Sequence, residues 1–184
     1  MSDSLRIEVP EKLFAPAESL SFTGTFALPA FKQGADTYAF EAPLDWNVQV
    51  TNTGGALLVS GTVAGSATTE CVRCLDPAQY DLTGEVEGYY LIPGRDADVP
   101  DEEREEYELL GEDHIIDLEP LFIAALSLAV PLTPLCDDDC KGLCAGCGAN
   151  LNHEPCTCDV PAEEAFPSEK PNPFSVLKTI KFDD

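Results

Sequence analysis

A chain of 184 residues with 44% hydrophobic content can build one ordinary core and a small appended module. Its 34 acids against 10 bases leave a net charge of −24, the wrong field for general phosphate-backbone binding through Lys and Arg and one that suits a basic protein partner. The longest apolar run, Leu121–Leu132, is broken by Ser127 and Pro131, and Met1–Pro10 lacks the basic and apolar regions of a signal peptide. No membrane contact is expected, and a cytoplasmic setting follows, where thiols stay reduced and clustered cysteines favour metal over disulfides.

In chain order, the first half reads as strands. Leu20–Phe26 and Trp46–Thr51 alternate with period two, as half-buried strands do. Asn52-Thr-Gly-Gly55 is a turn signal and Ala56–Val63 is rich in β-formers, so residues 45–64 should form a hairpin. A further strand carries Tyr80, Leu82, Val86 and Tyr90 on one face, with Gly84 and Gly88 suggesting bends or bulges. These short strands and Gly-rich turns predict an antiparallel β domain over residues 1–92, as a curved sheet or partial barrel.

Residues 93–116 contain Pro93, Gly94 and Pro100, then Asp101-Glu-Glu-Arg-Glu-Glu106, and predict an acidic mobile loop. Asp117 follows as a helix cap, with Glu119 and Pro120 in the first turn. Leu118, Phe122, Ala125, Leu126 and Ala129 recur at helical spacing until Pro131 and Pro134 end the run. Near the end, Asn172 and Pro173 open a short helix that should bury Phe174, Leu177 and Ile180. Residues 117–184 thus comprise a helix, a Cys-rich module and a C-terminal helix, packed as one unit with 1–92. The fold class expected is α+β.

The main chemical signal is cysteine. Cys144-Ala-Gly-Cys147-Gly148 has the spacing of a zinc knuckle, a tight turn that aims two sulfurs and several backbone N–H groups at one centre. Cys156 and Cys158 are the nearest later pair, which predicts one site from Cys144, Cys147, Cys156 and Cys158. Cys71, Cys74, Cys136 and Cys140 remain for a second, and two Zn²⁺ are expected. A rival assignment places Cys136, Cys140, Cys144 and Cys147 around one ion, and His153 could replace a thiolate. Four thiolates also suit an iron–sulfur cluster, although the knuckle and its glycines favour zinc.

Catalytic signals are scarce. With only His114 and His153 there is no basis for a Ser–His–acid arrangement, and no phosphate-binding glycine loop occurs. A thiol redox enzyme or sensor using Cys71 and Cys74 is the alternative, but a redox C-x-x-C pair belongs at a helix start. Direct RNA binding through the knuckles has only Lys141, Lys170, Lys178 and Lys181 to draw on.

The series Cys71-Val-Arg-Cys74-Leu75, Asp117-Leu-Glu-Pro120, Leu126–Pro131, Pro134-Leu-Cys136 and Cys140-Lys-Gly-Leu-Cys144-Ala-Gly-Cys147-Gly-Ala-Asn-Leu151-Asn152 resembles the YceD family, the large ribosomal RNA subunit accumulation proteins. Lys170-Pro-Asn-Pro-Phe-Ser-Val-Leu177 is similar to that family's C-terminal signature. The resemblance implies a non-enzymatic role in 23S ribosomal RNA accumulation or processing. Joined to the acidity, it points to a basic ribosomal or assembly protein as partner, with precursor 23S rRNA contacted indirectly.

Overall fold

Burial alternates residue by residue along Leu44–Asn52, with Leu44, Trp46, Val48 and Val50 inside and Asp45, Asn47 and Gln49 outside. That period of two makes this segment a half-buried strand. The computed structural model describes residues 5–95 and 107–158. Its strands are β1 (Arg6–Glu8), β2 (Ser19–Phe26), β3 (Ala30–Gln33), β4 (Asp36–Phe40), β5 (Leu44–Asn52), β6 (Ala56–Glu70), β7 (Pro77–Leu91), β8 (Glu108–Leu109) and β9 (Ile115–Asp117). A 3₁₀ turn spans Glu11–Phe14, and the α-helix α1 spans Glu119–Ala129.

Seven strands, β2 to β8, share one sheet, while β1 and β9 pair as a second. All pairings are antiparallel except the short β7–β8 contact. Both sheets are open. β6 is the spine. One of its edges is matched to β7 from Ala56↔Leu91 to Glu70↔Pro77, and the other is divided between β5 and β4.

The core lies under one face of the large sheet. Leu118, Phe122 and Leu126 of the helical stretch are fully buried there with Leu13, Tyr38 and Leu57. Phe122 meets Phe26 and Trp46, with ring centroids 6.1 and 5.6 Å away. Burying one such ring contributes about 2–3 kcal/mol, so α1 is held by its apolar stripe more than by its ends. The N-cap is Leu118, which has no side-chain cap, so the cap expected at Asp117 falls one residue early; the Asp117 carboxylate still accepts the Glu119 N–H at 3.0 Å.

The register of β6 and β7 runs one to one through Gly84 and Gly88, so neither glycine marks a bulge. Their role is close approach. A Cβ at Gly84 would lie 2.7 Å from the Ala125 carbonyl carbon, so the missing side chain is what lets α1 sit against β7.

The described residues fall into two compact units. One contains the sheets and α1, up to Cys71 and from Asp76 to Cys136; the other comprises Val72–Leu75 and the chain from Asp137. No helix of the described residues is long and apolar enough to cross a membrane. The acidic run Asp101–Glu106 and the expected C-terminal helix lie outside the described residues.

Candidate metal centre

The turn Cys144–Gly148 is closed by backbone geometry. Gly148 adopts φ +75°, a left-handed conformation open to glycine at little cost, and donates its N–H to the Cys144 carbonyl at 2.8 Å. The Cys144 N–H then donates to Ala149 C=O at 2.8 Å, and Leu143 bridges to Asn150. The turn thereby directs both sulfurs to one side, where the chain returns with Cys156 and Cys158.

The four sulfurs of Cys144, Cys147, Cys156 and Cys158 lie within 4.8 Å of one another. Separations are 3.3 Å from Cys144 to Cys156, 3.6 Å from Cys144 to Cys158, and 3.4 Å from Cys147 to Cys156. Cys156 and Cys158 are 2.9 Å apart. A tetrahedron with metal–sulfur arms of about 2.3 Å has edges of about 3.8 Å, so this donor set fits a four-thiolate ion after a small expansion.

The electrostatics fit the same use. The Cys144 thiol is held down to about 6, first by the backbone N–H of Cys147, then by the Cys156 thiol and the Gly146 N–H. Cys156 is pushed up to about 12, chiefly because it shares its proton with Cys158. Crowded thiols that must share protons are thiols that a cation would deprotonate.

A second group has the same local design. Cys71 N–H donates to Asp76 C=O at 2.8 Å, as Cys144 does to Ala149 at the same spacing. Leu75, directly after Cys74, takes φ +65°, matching Gly148 after Cys147. Cys71-Val-Arg-Cys74 is therefore a second knuckle with a leucine where glycine would be unstrained. Cys71, Cys74, Cys136 and Cys140 are a second set of donors that could hold a metal ion. Cys71, Cys74 and Cys140 are buried and Cys136 is exposed.

Cys136 and Cys140 do not group with Cys144 and Cys147, and His153, exposed on a turn, joins neither set. Supporting side chains complete the picture. The Arg73 guanidinium donates to the Cys140 carbonyl at 3.0 Å, and its own carbonyl accepts the Leu143 N–H at 3.0 Å. Asn152 accepts the Lys141 N–H at 2.8 Å and donates its amide to the Cys140 sulfur at 3.2 Å. The Tyr80 hydroxyl clasps the residue before Cys136, donating to Leu135 C=O at 2.7 Å and accepting the Leu135 N–H at 2.6 Å. Sequence spacing marks none of these three roles, because each depends on a contact far along the chain.

Residues 59–181, a stretch containing every cysteine, match the family described as large ribosomal RNA subunit accumulation protein YceD. The chain belongs to the YceD family. An uncharacterized protein of Mycobacterium tuberculosis is 37% identical to it over 114 residues, covering 62% of this chain and 54% of the relative. A Mycobacterium leprae protein is 34% identical over 116 residues, covering 62% and 52%. A maize protein named large ribosomal RNA subunit accumulation protein YCED homolog 1, chloroplastic, is 27% identical over 142 residues, covering 63% and 48%. The chain spans about half the length of these curated relatives. No solved structure matches.

Proposed function

We propose that this YceD-family chain is a non-enzymatic factor for large-subunit biogenesis that supports accumulation of 23S ribosomal RNA as an acidic, zinc-braced binding protein. The observation carrying the reading is the family match over residues 59–181, which takes in both cysteine groups. In this reading Cys144, Cys147, Cys156 and Cys158 hold one Zn²⁺, and Cys71, Cys74, Cys136 and Cys140 hold another. Zinc supplies no redox chemistry; each ion cross-links loops too short of apolar residues to hold themselves. The partner is a basic ribosomal or assembly protein, drawn by the charge of −24 and bringing the chain near precursor RNA indirectly.

The redox alternative at Cys71 and Cys74 loses support from local structure. The pair leads from β6 into β7 and does not open a helix, so it lacks the dipole that lowers a thiol pKa in redox C-x-x-C sites. Depleting the protein and measuring 23S rRNA and large-subunit levels tests the reading: both should fall, and unchanged levels would sink it. Metal analysis separates the classes, with about two Zn²⁺ per chain expected. Reactive thiols without metal would favour redox chemistry.

A further inference from the structure

Three edges of the large sheet face away from neighbouring strands among the described residues, and they are not equally guarded. The edge at β3 is short and carries Lys32. The free stretch of β7 carries Pro77, Asp81, Glu85 and Glu87. β2, Ser19-Leu-Ser-Phe-Thr-Gly-Thr-Phe26, has neither charge nor proline along its whole length and pairs only with β5. Charges and prolines are how proteins keep an edge from accepting another strand, so β2 is the edge left receptive.

The register says which backbone groups are free. Asn52 N–H donates to Glu18 C=O, and in an antiparallel pair the hydrogen-bonded positions alternate. The Thr53 N–H bond to Ala56 C=O sets the opposite parity for the β5–β6 side, which agrees. The even positions of β2 therefore bond to β5, and Ser19, Ser21, Thr23 and Thr25 direct their N–H and C=O groups outward. Beside this edge runs a cleft lined by Phe22–Thr25 and by Arg6–Glu8 of β1. Leu118 N–H bonds Leu5 C=O and Val9 N–H bonds His114 C=O, so on β1 it is Arg6 and Glu8 whose backbone faces away from β9. Trp46, 8% exposed, also lines the cleft, and its indole N–H has no acceptor.

We propose that the cleft between β1 and β2 takes an extended basic segment of a partner protein as an added strand on β2. Backbone bonds from Ser19, Ser21, Thr23 and Thr25 supply the affinity, and Phe22 and Trp46 supply apolar contact. The charge of the occupant follows from the net −24 and from Asp45, which stands opposite Thr25 on the neighbouring strand; Arg6 and Lys12 are already engaged by Asp117 and Glu18. The choice of a basic occupant rests on the binding-protein reading above, whereas the strand geometry stands apart from it.

Trp46 is the only tryptophan, so its fluorescence in the full chain reports occupancy directly. The probe is a synthetic eight-residue peptide of alternating Lys and Val, compared with a Glu–Val peptide and with the Lys–Val peptide N-methylated at alternate residues. A saturable Trp46 response to Lys–Val, weakened at least about tenfold by N-methylation, is expected. Thr23→Pro, which removes only an outward N–H, should cause a similar loss, and the N-methyl arm needs no altered protein. Binding insensitive to N-methylation, or no response, overturns the proposal. So does equal binding of Glu–Val, or self-association of the chain that Thr23→Pro abolishes, since a second copy would then own the edge. Peptide binding that persists while depletion leaves rRNA levels normal would defeat the biogenesis reading alone.

Discussion

Tyr80→Phe removes one oxygen and tests how the second cysteine group is built. The hydroxyl makes two hydrogen bonds to Leu135, at 2.7 and 2.6 Å, directly before Cys136. Each such bond contributes about 0.5–1.5 kcal/mol net, and because the site is only partly buried, water recovers some of the loss. A cost of about 1–2 kcal/mol follows, and at about 1.4 kcal/mol per tenfold the zinc affinity of the Cys71, Cys74, Cys136 and Cys140 group should weaken about 5–30-fold. The Cys144 group is an internal control, since Tyr80 bonds none of its residues. Stepwise removal of zinc by a competing chelator at fixed pH should show one ion leaving earlier in the variant while the other keeps its wild-type affinity. Two ions that weaken together, or two that do not change, would refute the view that this hydroxyl positions Cys136.

Gly84→Ala should destabilise by about 1–3 kcal/mol in chemical denaturation, because the new methyl meets the backbone of Ala125 at 2.7 Å, whereas Gly88→Ala should cost under about 1 kcal/mol, since it meets the mobile end of Leu121. Leu75→Gly should raise thermal stability by about 0.5–1 kcal/mol, the relief of a φ of +65° exceeding the added freedom of the unfolded chain. The Tyr90 pKa is raised above its usual 10, first by burial and then by the Glu108 carboxylate, which also accepts its hydrogen bond. A raised folded pKa gives stability that is complete below pH 10 and is lost as pH climbs through the folded value. Denaturation midpoints should therefore fall above pH 10, and Tyr90→Phe should flatten that fall.

The hairpin of β5 and β6 was legible because β5 alternates, β6 opens on a run of β-formers and Asn52-Thr-Gly-Gly55 marks the turn. β3 and β4 were not, since two short strands around Gly34 carry little periodic signal. What secures them is tertiary, the stacking of Phe31 on Tyr38 and Phe40 at 5.5 and 6.0 Å. Gly84 shows the same limit: its strand position is readable, but the helix that requires it comes forty-odd residues later, so a bulge was the natural local reading. In the metal centre, C-x-x-C spacing reveals each knuckle. Leu75 hides the likeness of the first to the second, because leucine, unlike glycine or asparagine, does not announce a positive φ. Arg73, Asn152 and Tyr80 act through carbonyls, amides and one sulfur elsewhere in the chain, a pattern no spacing encodes.

The charge near the knuckles bears on which macromolecule this surface can meet. Among the described residues of the second unit the cations are Arg73 and Lys141, beside Asp137, Asp138, Asp139 and Glu154. Arg73 is already committed to the Cys140 carbonyl. A zinc held by four thiolates carries about two negative charges, so filling the sites deepens the negative field there. Phosphate contacts need the opposite sign, and each one displaced by repulsion also removes the counterion release that drives nucleic-acid binding. The same field favours Lys- and Arg-rich protein segments and speeds their encounter. Under the proposed reading, strand pairing at β2 and attraction by the net charge of −24 would favour the same class of partner, an extended segment rich in Lys and Arg.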